Sequence, residues 1–217
     1  CGLHNNFTLI GYIPHTRVYQ NAQVFSSGRE HIPGEQFSSL GDINLGVEYQ
    51  VAKNKGWAHS ISLSLGLPSG KNRGGSDGSY QTGDGEFNQL LRFHTGKSYQ
   101  LGAQHFYAKA SVGVNQRSNG FSDEFHANIE TGTKVFKEKI LLLLRSNTIQ
   151  SFHNGSLDAS NSNGSIFANN VEVVNLGGEL IYQLSPKLSW GLSGSYPLSG
   201  RVLYRAPAFS TGISYQP

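Results

Sequence analysis

The chain has 217 residues, of which 27 are glycine, 37% are hydrophobic and only 14% are charged. A typical soluble domain has about 25% charged residues, yet the mean hydropathy here is −0.35, because uncharged polar residues replace the charged ones. An aromatic content of 11% excludes a disordered chain, and the longest aliphatic run, residues 140–144, is too short for a membrane-spanning helix. The composition therefore favours an all-β chain whose polar surface is mostly uncharged.

Charge and cysteine content exclude further classes. The net charge of +3 is small, and no Lys/Arg cluster is interleaved with aromatic residues, so we expect no nucleic-acid partner. The single cysteine, Cys1, excludes a disulfide framework. It is either the acylated residue of a lipoprotein or an arbitrary start of the chain. The histidines lack metal-binding spacings, so the sequence predicts no metal site and no other cofactor.

Hydrophobic and polar residues alternate with a period of two along most of the chain, which is typical of strands with two different faces. For example, Leu45 and Val47 alternate with Asn44, Gly46 and Glu48. The pattern predicts ten visible strands. In chain order, they cover residues 7–13, 43–51, 57–67, 86–94, 105–115, 125–135, 140–151, 174–182, 188–196 and 209–215.

The connections between these strands alternate between long and short without exception. In chain order, they are 14–38, 52–56, 68–85, 95–98, 116–123, 136–139, 152–169, 184–187 and 197–207. This rhythm is expected of a closed up-and-down barrel with tight turns at one end and loops at the other. A sandwich with Greek-key crossovers has no reason to keep it. Most of the strands also reach the length of about 9–11 residues that a tilted membrane-spanning strand needs.

We therefore expect an antiparallel up-and-down transmembrane β-barrel that forms a single domain over residues 1–217, in the outer membrane of a Gram-negative bacterium. The alternative is a soluble lipocalin-type barrel with its apolar face inside, but the exterior of such a barrel would carry many more Lys and Glu residues. Aromatic residues near the predicted strand ends are consistent with an interfacial girdle. They are Tyr12, Tyr49, Trp57, Phe93, Phe136, Tyr182, Trp190, Tyr196 and Tyr215.

The polar face of the predicted strands carries sparse charges of both signs in equal number. A barrel of about ten strands has an interior only slightly wider than the eight-stranded case, so such charges can pair across it. The predicted lumen-lining residues are Asn44, Glu48, Arg92, Lys109, Glu130, Arg145, Asn175 and Glu179. No serine or other nucleophile has an assignable general base, so the sequence predicts no catalytic residue and no enzymatic activity.

Five short segments carry a resemblance to a known family. They are residues 41–49, 64–70, 83–85, 119–124 and 206–213. They resemble the bacterial outer-membrane family of transporter-like proteins named for the meta-pathway of phenol degradation. The resemblance implies an outer-membrane barrel, sometimes linked with uptake of hydrophobic or aromatic compounds. It implies no catalytic or ligand-binding residues.

Two features depart from this family. Its members usually have further residues ahead of the segment that matches residues 2–6, which leaves room for an N-terminal strand or two and for a complete barrel of twelve strands. Outer-membrane barrels also commonly end with an aromatic residue, whereas this chain ends with Gln216 and Pro217.

Two functional hypotheses follow from the sequence. The first is a narrow, porin-like channel or transporter for small molecules, including hydrophobic ones. The alternative is a structural or accessory barrel with a closed lumen, which binds a protein partner through the long loops 14–38, 68–85 and 152–169. Both predict contact with the lipid bilayer and its lipopolysaccharide.

Overall fold

Every regular element in the described part of the chain is a β-strand. The computed structural model describes residues 2–4, 6–24, 27–28, 30–32, 34–76, 78, 80–102, 104–153, 170–201 and 205–216. None of these residues belongs to a helix long and apolar enough to cross a membrane.

Fifteen strands are present in the described residues. In chain order they are β1 (Gly2–His4), β2 (Phe7–Tyr12), β3 (His15–Gln20), β4 (Gln23–Val24), β5 (Glu30–Ile32), β6 (Glu35–Leu40), β7 (Ile43–Asn54), β8 (Trp57–Leu67), β9 (Asn88–Leu101), β10 (Gln104–Arg117), β11 (Glu124–Val135), β12 (Ile140–Ser151), β13 (Glu172–Ser185), β14 (Leu188–Arg201) and β15 (Ala208–Tyr215). The ten strands predicted from the alternation are all confirmed.

Eleven of these strands form one antiparallel sheet in the order β1-β2-β7-β8-β9-β10-β11-β12-β13-β14-β15. Each strand of the sheet pairs with the next strand of the sheet along the chain, so the up-and-down topology is confirmed. Between the described residues, no pairing returns from β15 to β1 or β2. Closure into a transmembrane barrel therefore stays a prediction.

The other four strands correct the prediction that residues 14–38 form only a loop. β3 pairs with β6 from His15 opposite Leu40 to Gln20 opposite Glu35, and β4 pairs with β5. These strands are six residues long or shorter, and Pro14 and Gly34 interrupt the surrounding pattern. A period of two is hard to recognise over so few residues.

The predicted short connection at 95–98 is also wrong, because β9 continues through it to Leu101. Gly96, Lys97 and Ser98 resemble turn residues in sequence, but all three pair with β10, and the first two also pair with β8. The turn lies instead at Gly102, which has a φ of 59°. Glycine adopts this left-handed backbone without a steric penalty.

The two faces of the large sheet differ sharply in polarity. On one face, which we call the apolar face, Leu91, Ile129 and Leu144 are 55%, 62% and 53% exposed. The opposite face, which we call the polar face, contains most of the buried charged and hydroxyl groups of the sheet. Among the described residues, the buried polar side chains are Ser62, Thr82, Glu86, Asn115, Ser122, Glu124, Glu130 and Ser151, and the buried hydrophobic ones are Tyr80, Leu90, Phe121 and Leu143. This distribution is the reverse of that in a soluble protein.

Part of the predicted aromatic girdle lies at the end of the sheet that carries the short turns. Its exposed members there are Trp57, Phe136, Tyr182, Trp190 and Tyr215. The prediction is wrong for Tyr49, Phe93 and Tyr196, which lie at least five residues from either end of their strands. The reason is that β7, β9 and β14 extend further than their alternating cores. Tyr12 ends β2 and lies opposite Asn44 on the polar face.

Candidate functional site

The polar face brings together most of the residues predicted to line a lumen. Glu48, Arg92, Lys109, Glu130 and Arg145 line one cavity of about 530 Å³. Glu179 lines a neighbouring cavity of about 450 Å³. Asn44 and Asn175 lie on the same face of the sheet but line neither of these two cavities.

A network of ions, which we call the central network, connects β10 to β13 across this face. Lys109, Glu130 and Arg145 lie directly opposite one another in the ladders of three adjacent strands. Glu130 is paired with Lys109 at 3.1 Å and with Arg145, and Arg145 is also paired with Glu179. The Tyr107 hydroxyl donates to Glu130 at 2.7 Å. Each carboxylate of the network therefore has the partners that a poorly hydrated charge requires.

Glycine at position 132 makes this arrangement possible. Tyr107 lies opposite Gly132 in the ladder between β10 and β11. A Cβ at Gly132 would come within 2.5 Å of the Tyr107 ring and 2.7 Å of the Leu143 side chain. The missing side chain leaves the space in which Tyr107 lies across the sheet to reach Glu130.

A second charged group lies at the end of the sheet that carries the long connections. Arg117, the last residue of β10, is paired with Glu86 at 2.5 Å, Glu124 at 2.7 Å and Asp84 at 3.3 Å. Its side chain is only 6% exposed, and its guanidinium lies 4.4 Å from the ring centre of Phe121. We call these four charged residues the Arg117 cluster. Three carboxylates thus share one buried cation.

Residues 68–87, which we call the strap, supply two of these carboxylates, Asp84 and Glu86. Asp42 accepts hydrogen bonds from the backbone N–H groups of Gly70 at 2.9 Å and of Asp84 at 3.0 Å. The Thr82 hydroxyl donates to the carbonyl of Leu40 at 2.7 Å. At the other end, the N–H of Phe87 donates to the Ser118 hydroxyl at 2.8 Å. The described strap residues are therefore packed against the end of the sheet, whereas the sequence predicted an open loop over 68–85.

The Arg117 cluster was not predicted from the sequence. Alternation placed neither Asp84 nor Arg117 on a strand face, because the first lies in a predicted loop and the second follows a predicted strand. The available signal was the resemblance: Gly83-Asp84-Gly85 and residues 119–124 are two of the segments that carry it. In the structure these segments meet, since the side-chain amide of Asn119 donates to the carbonyl of Gly85 at 2.8 Å.

Burial changes the acid–base properties of the strap carboxyls. Burial raises the pKa of Asp84 to about 7, and the carboxylates of Glu86 and Asp42 act in the same direction, while a hydrogen bond from the Glu86 N–H opposes the change. Burial also raises the pKa of Glu86, against the opposing effect of Arg117. The folded strap therefore favours a protonated carboxyl group at a pH where the unfolded chain would be ionised.

This predicts a pH dependence of strap stability. Between about pH 4, the ordinary value of an aspartate, and about pH 7, the folded strap holds a proton on Asp84 that the unfolded chain does not hold. The free energy of unfolding contributed by this group therefore falls as the pH rises through that window. Asp84→Asn is expected to reduce this slope, measured by hydrogen exchange of strap amides at several pH values.

Glu138→Gln provides the control for this prediction. Glu138 is an exposed carboxyl in the 136–139 turn, and its ion-pair partner among the described residues is the exposed Lys134. Its replacement should leave the slope as it is in the parent protein. A slope that is the same in Asp84→Asn and in the parent would contradict the assignment to Asp84.

Comparison with known families identifies the family of this chain. The family model described as "Putative MetA-pathway of phenol degradation" matches residues 3–215. The chain belongs to this family. The resemblance predicted from the five segments is thereby confirmed. No curated protein matches the chain.

In this phenol-degradation family member, both charged groups lie on the polar face of one sheet. The central network joins neighbouring strands near their middle, and the Arg117 cluster joins the sheet to the strap. Among the described residues, no group of three or more His, Cys, Asp or Glu side chains has a geometry that would hold a metal ion. The arrangement is suited to binding or passing polar and charged groups along the face.

Proposed function

We propose that this protein is an outer-membrane β-barrel that passes small molecules through a narrow channel along its polar face. The single observation that carries the proposal is the inverted distribution of side chains. Leucine, isoleucine and valine side chains of the apolar face are exposed, while Glu130 and Asn115 are buried on the opposite face. Lipid is the solvent in which an exposed apolar face of this size is stable, because most soluble monomers expose much smaller continuous patches.

Strand length and connections support the same proposal. The strands from β7 to β14 have 11 to 14 residues. A tilted strand needs about 9–11 residues to cross a bilayer. Turns such as that at Lys55 and Gly56, both with positive φ, alternate with long connections at the opposite end. In the proposed orientation, the long connections face the lipopolysaccharide and the exposed aromatic side chains at the short turns contact the opposite interface.

The polar face supports a passive mechanism. The two cavities of about 530 and 450 Å³ lie along this face on the two sides of the Arg145–Glu179 ion pair. Size and fixed charge would select what passes. The family description concerns phenol degradation, which is compatible with small hydrophobic or aromatic solutes.

Reconstitution tests this proposal directly. We expect the purified protein to produce discrete conductance steps in planar bilayers and to let small solutes enter liposomes. Heat-modifiable migration on gels would show that the sample is a folded barrel. Protein-free bilayers and heat-denatured protein serve as controls. A folded sample without conductance and without solute flux would contradict the proposal.

The strap favours the second candidate function, a barrel with a closed lumen that binds a protein partner. The strap lies over the long-connection end of β9 to β11 and is held there by the Arg117 cluster. Of the three loops predicted to bind a partner, most of 152–169 lies outside the described residues. A stoichiometric protein that co-purifies from native membranes, together with absent conductance, would support this candidate over the channel.

A further inference from the structure

Arg92 differs from the other basic residues predicted on the polar face. Lys109 and Arg145 are both paired with Glu130. Among the described residues, no carboxylate lies within ion-pair distance of Arg92, which lines the cavity of about 530 Å³. Arg92 is therefore a cation of the cavity wall without a paired carboxylate, and Glu48 on the same wall has no paired cation among the described residues.

The hydrogen bonds of Arg92 are also incomplete. Its side chain crosses the neighbouring strand at Gly113, where a Cβ would lie 2.6 Å from the Cγ of Arg92. One terminal nitrogen then lies 3.4 Å from Nδ1 of His126, and the other ring nitrogen of that histidine lies 3.0 Å from Glu124. The buried Nε of Arg92 has no hydrogen-bond partner in the part of the chain described. A guanidinium has five N–H donors in a planar fork. Because Nε is buried, a ligand in the cavity would be bound through the two terminal nitrogens, of which one also contacts His126.

The neighbours of Arg92 in the cavity leave it free to bind an anion. Glu48 already accepts a hydrogen bond from the Ser60 hydroxyl. Glu130 is occupied by the central network, as described above. The remaining wall includes small neutral polar groups such as Ser111 and Asn128, which are hydrogen-bonded to each other at 3.2 Å. The volume falls within the range of about 300–1,000 Å³ that is typical of small-molecule sites.

We propose that Arg92 forms the anion-binding part of a site for a small monoanionic carboxylate in this cavity. Arginine binds the two oxygens of a carboxylate through parallel N–H donors, a geometry that lysine does not provide. The guanidinium of Arg92, which has no paired carboxylate among the described residues, matches one carboxylate group on the ligand. A second negative charge would share the cavity with Glu48, which has no paired cation among the described residues, while Lys109 and Arg145 are already paired with Glu130. A dicarboxylate or a phosphate dianion is therefore disfavoured. The proposal rests on the proposed function for its role in transport, but binding is measurable without transport.

Butyrate and butyramide provide the test, because they have nearly the same shape and differ in charge. Binding to the folded, detergent-solubilised protein is measured by calorimetry at pH 8. We expect saturable binding of butyrate and at least about tenfold weaker binding of butyramide. Arg92→Gln should weaken butyrate binding by a similar factor, and Arg92→Lys should retain part of it.

Arg17→Gln is the matched control, since Arg17 lies on β3 outside this cavity and its side chain is bonded to Gln36 at 2.8 Å. It removes the same charge and should leave butyrate binding unchanged. Equal binding of butyrate and butyramide, or an unchanged butyrate affinity in Arg92→Gln, would overturn the proposal. Tighter binding of succinate or inorganic phosphate than of butyrate would overturn its monoanion specificity.

The outcomes for this site and for the channel are separable. Conductance without butyrate binding would contradict the carboxylate site and leave the channel standing. Butyrate binding that depends on Arg92, in a folded protein without conductance or flux, would support the site and contradict the channel.

Discussion

Replacing Arg117 with methionine is expected to lower the free energy of unfolding by about 3–5 kcal/mol. Arg117 is the cation paired with three carboxylates, of which Glu86 and Glu124 are buried. Removing it leaves the Glu86 carboxylate without a paired cation among the described residues, and leaves Glu124 with only His126 and Asn115, in a poorly hydrated site. Methionine keeps much of the side-chain volume, so the main change is the loss of charge and of hydrogen bonds.

Urea unfolding followed by tryptophan fluorescence measures this effect, since the chain has only Trp57 and Trp190. Arg201→Met is the matched control because Arg201 is paired with Glu172 at 2.8 Å but is 42% exposed. Exposed pairs contribute only up to about 1 kcal/mol. The double variant Arg117→Met/Glu86→Gln should recover part of the loss, because it removes one buried charge. Equal effects of Arg117→Met and Arg201→Met would contradict a stabilising role for the Arg117 cluster.

Placing arginine at position 144 is expected to destabilise the protein in a bilayer by about 2–4 kcal/mol. Leu144 lies near the middle of β12 on the apolar face and is 53% exposed. If lipid surrounds this face, the substitution places a charge near the bilayer midplane. If water surrounds it, replacing an exposed leucine should change the stability by no more than about 0.5 kcal/mol. The prediction therefore distinguishes the membrane barrel from a soluble one.

Leu184→Arg gives a control of equal exposure. Leu184 is also 53% exposed but lies next to the end of β13, beside the short turn. There the cost should fall to about 0–1 kcal/mol, since the side chain reaches the interface. Both variants are compared by urea unfolding in lipid vesicles. Equally small effects at both positions would contradict a bilayer around the apolar face.

The ten long or regular strands were predictable because each carries its own pattern. In β7, for instance, Leu45, Val47 and Tyr49 point to one side and Asn44 and Glu48 to the other, and the pleat makes this period a local property. The end of β9 was not predictable in the same way. It lies beyond turn-like residues such as Gly96 and Lys97, and the ladder with β10 holds it in the sheet as far as Leu101.

For a related reason, the sequence predicted which residues share the face of the candidate site but not all of their contacts. Alternation identified Lys109, Glu130 and Arg145 as sharing one face, and the sheet then placed them directly opposite one another. Alternation does not say that Arg92 would remain without a carboxylate partner. The partners of Arg92 depend on how its side chain crosses the neighbouring strand at Gly113, and this packing is set by the three-dimensional structure.

The low charge and high glycine content, together with the period of two, are enough to establish an all-β chain with one polar and one apolar face. These features are local, because the side-chain direction at each strand position follows from its neighbours along the backbone. The contacts of Arg117 with Glu86 and Asp84 are different, since those partners are more than 30 residues away. They exist because the strap turns back over the end of the sheet, and no local pattern in the chain specifies that return.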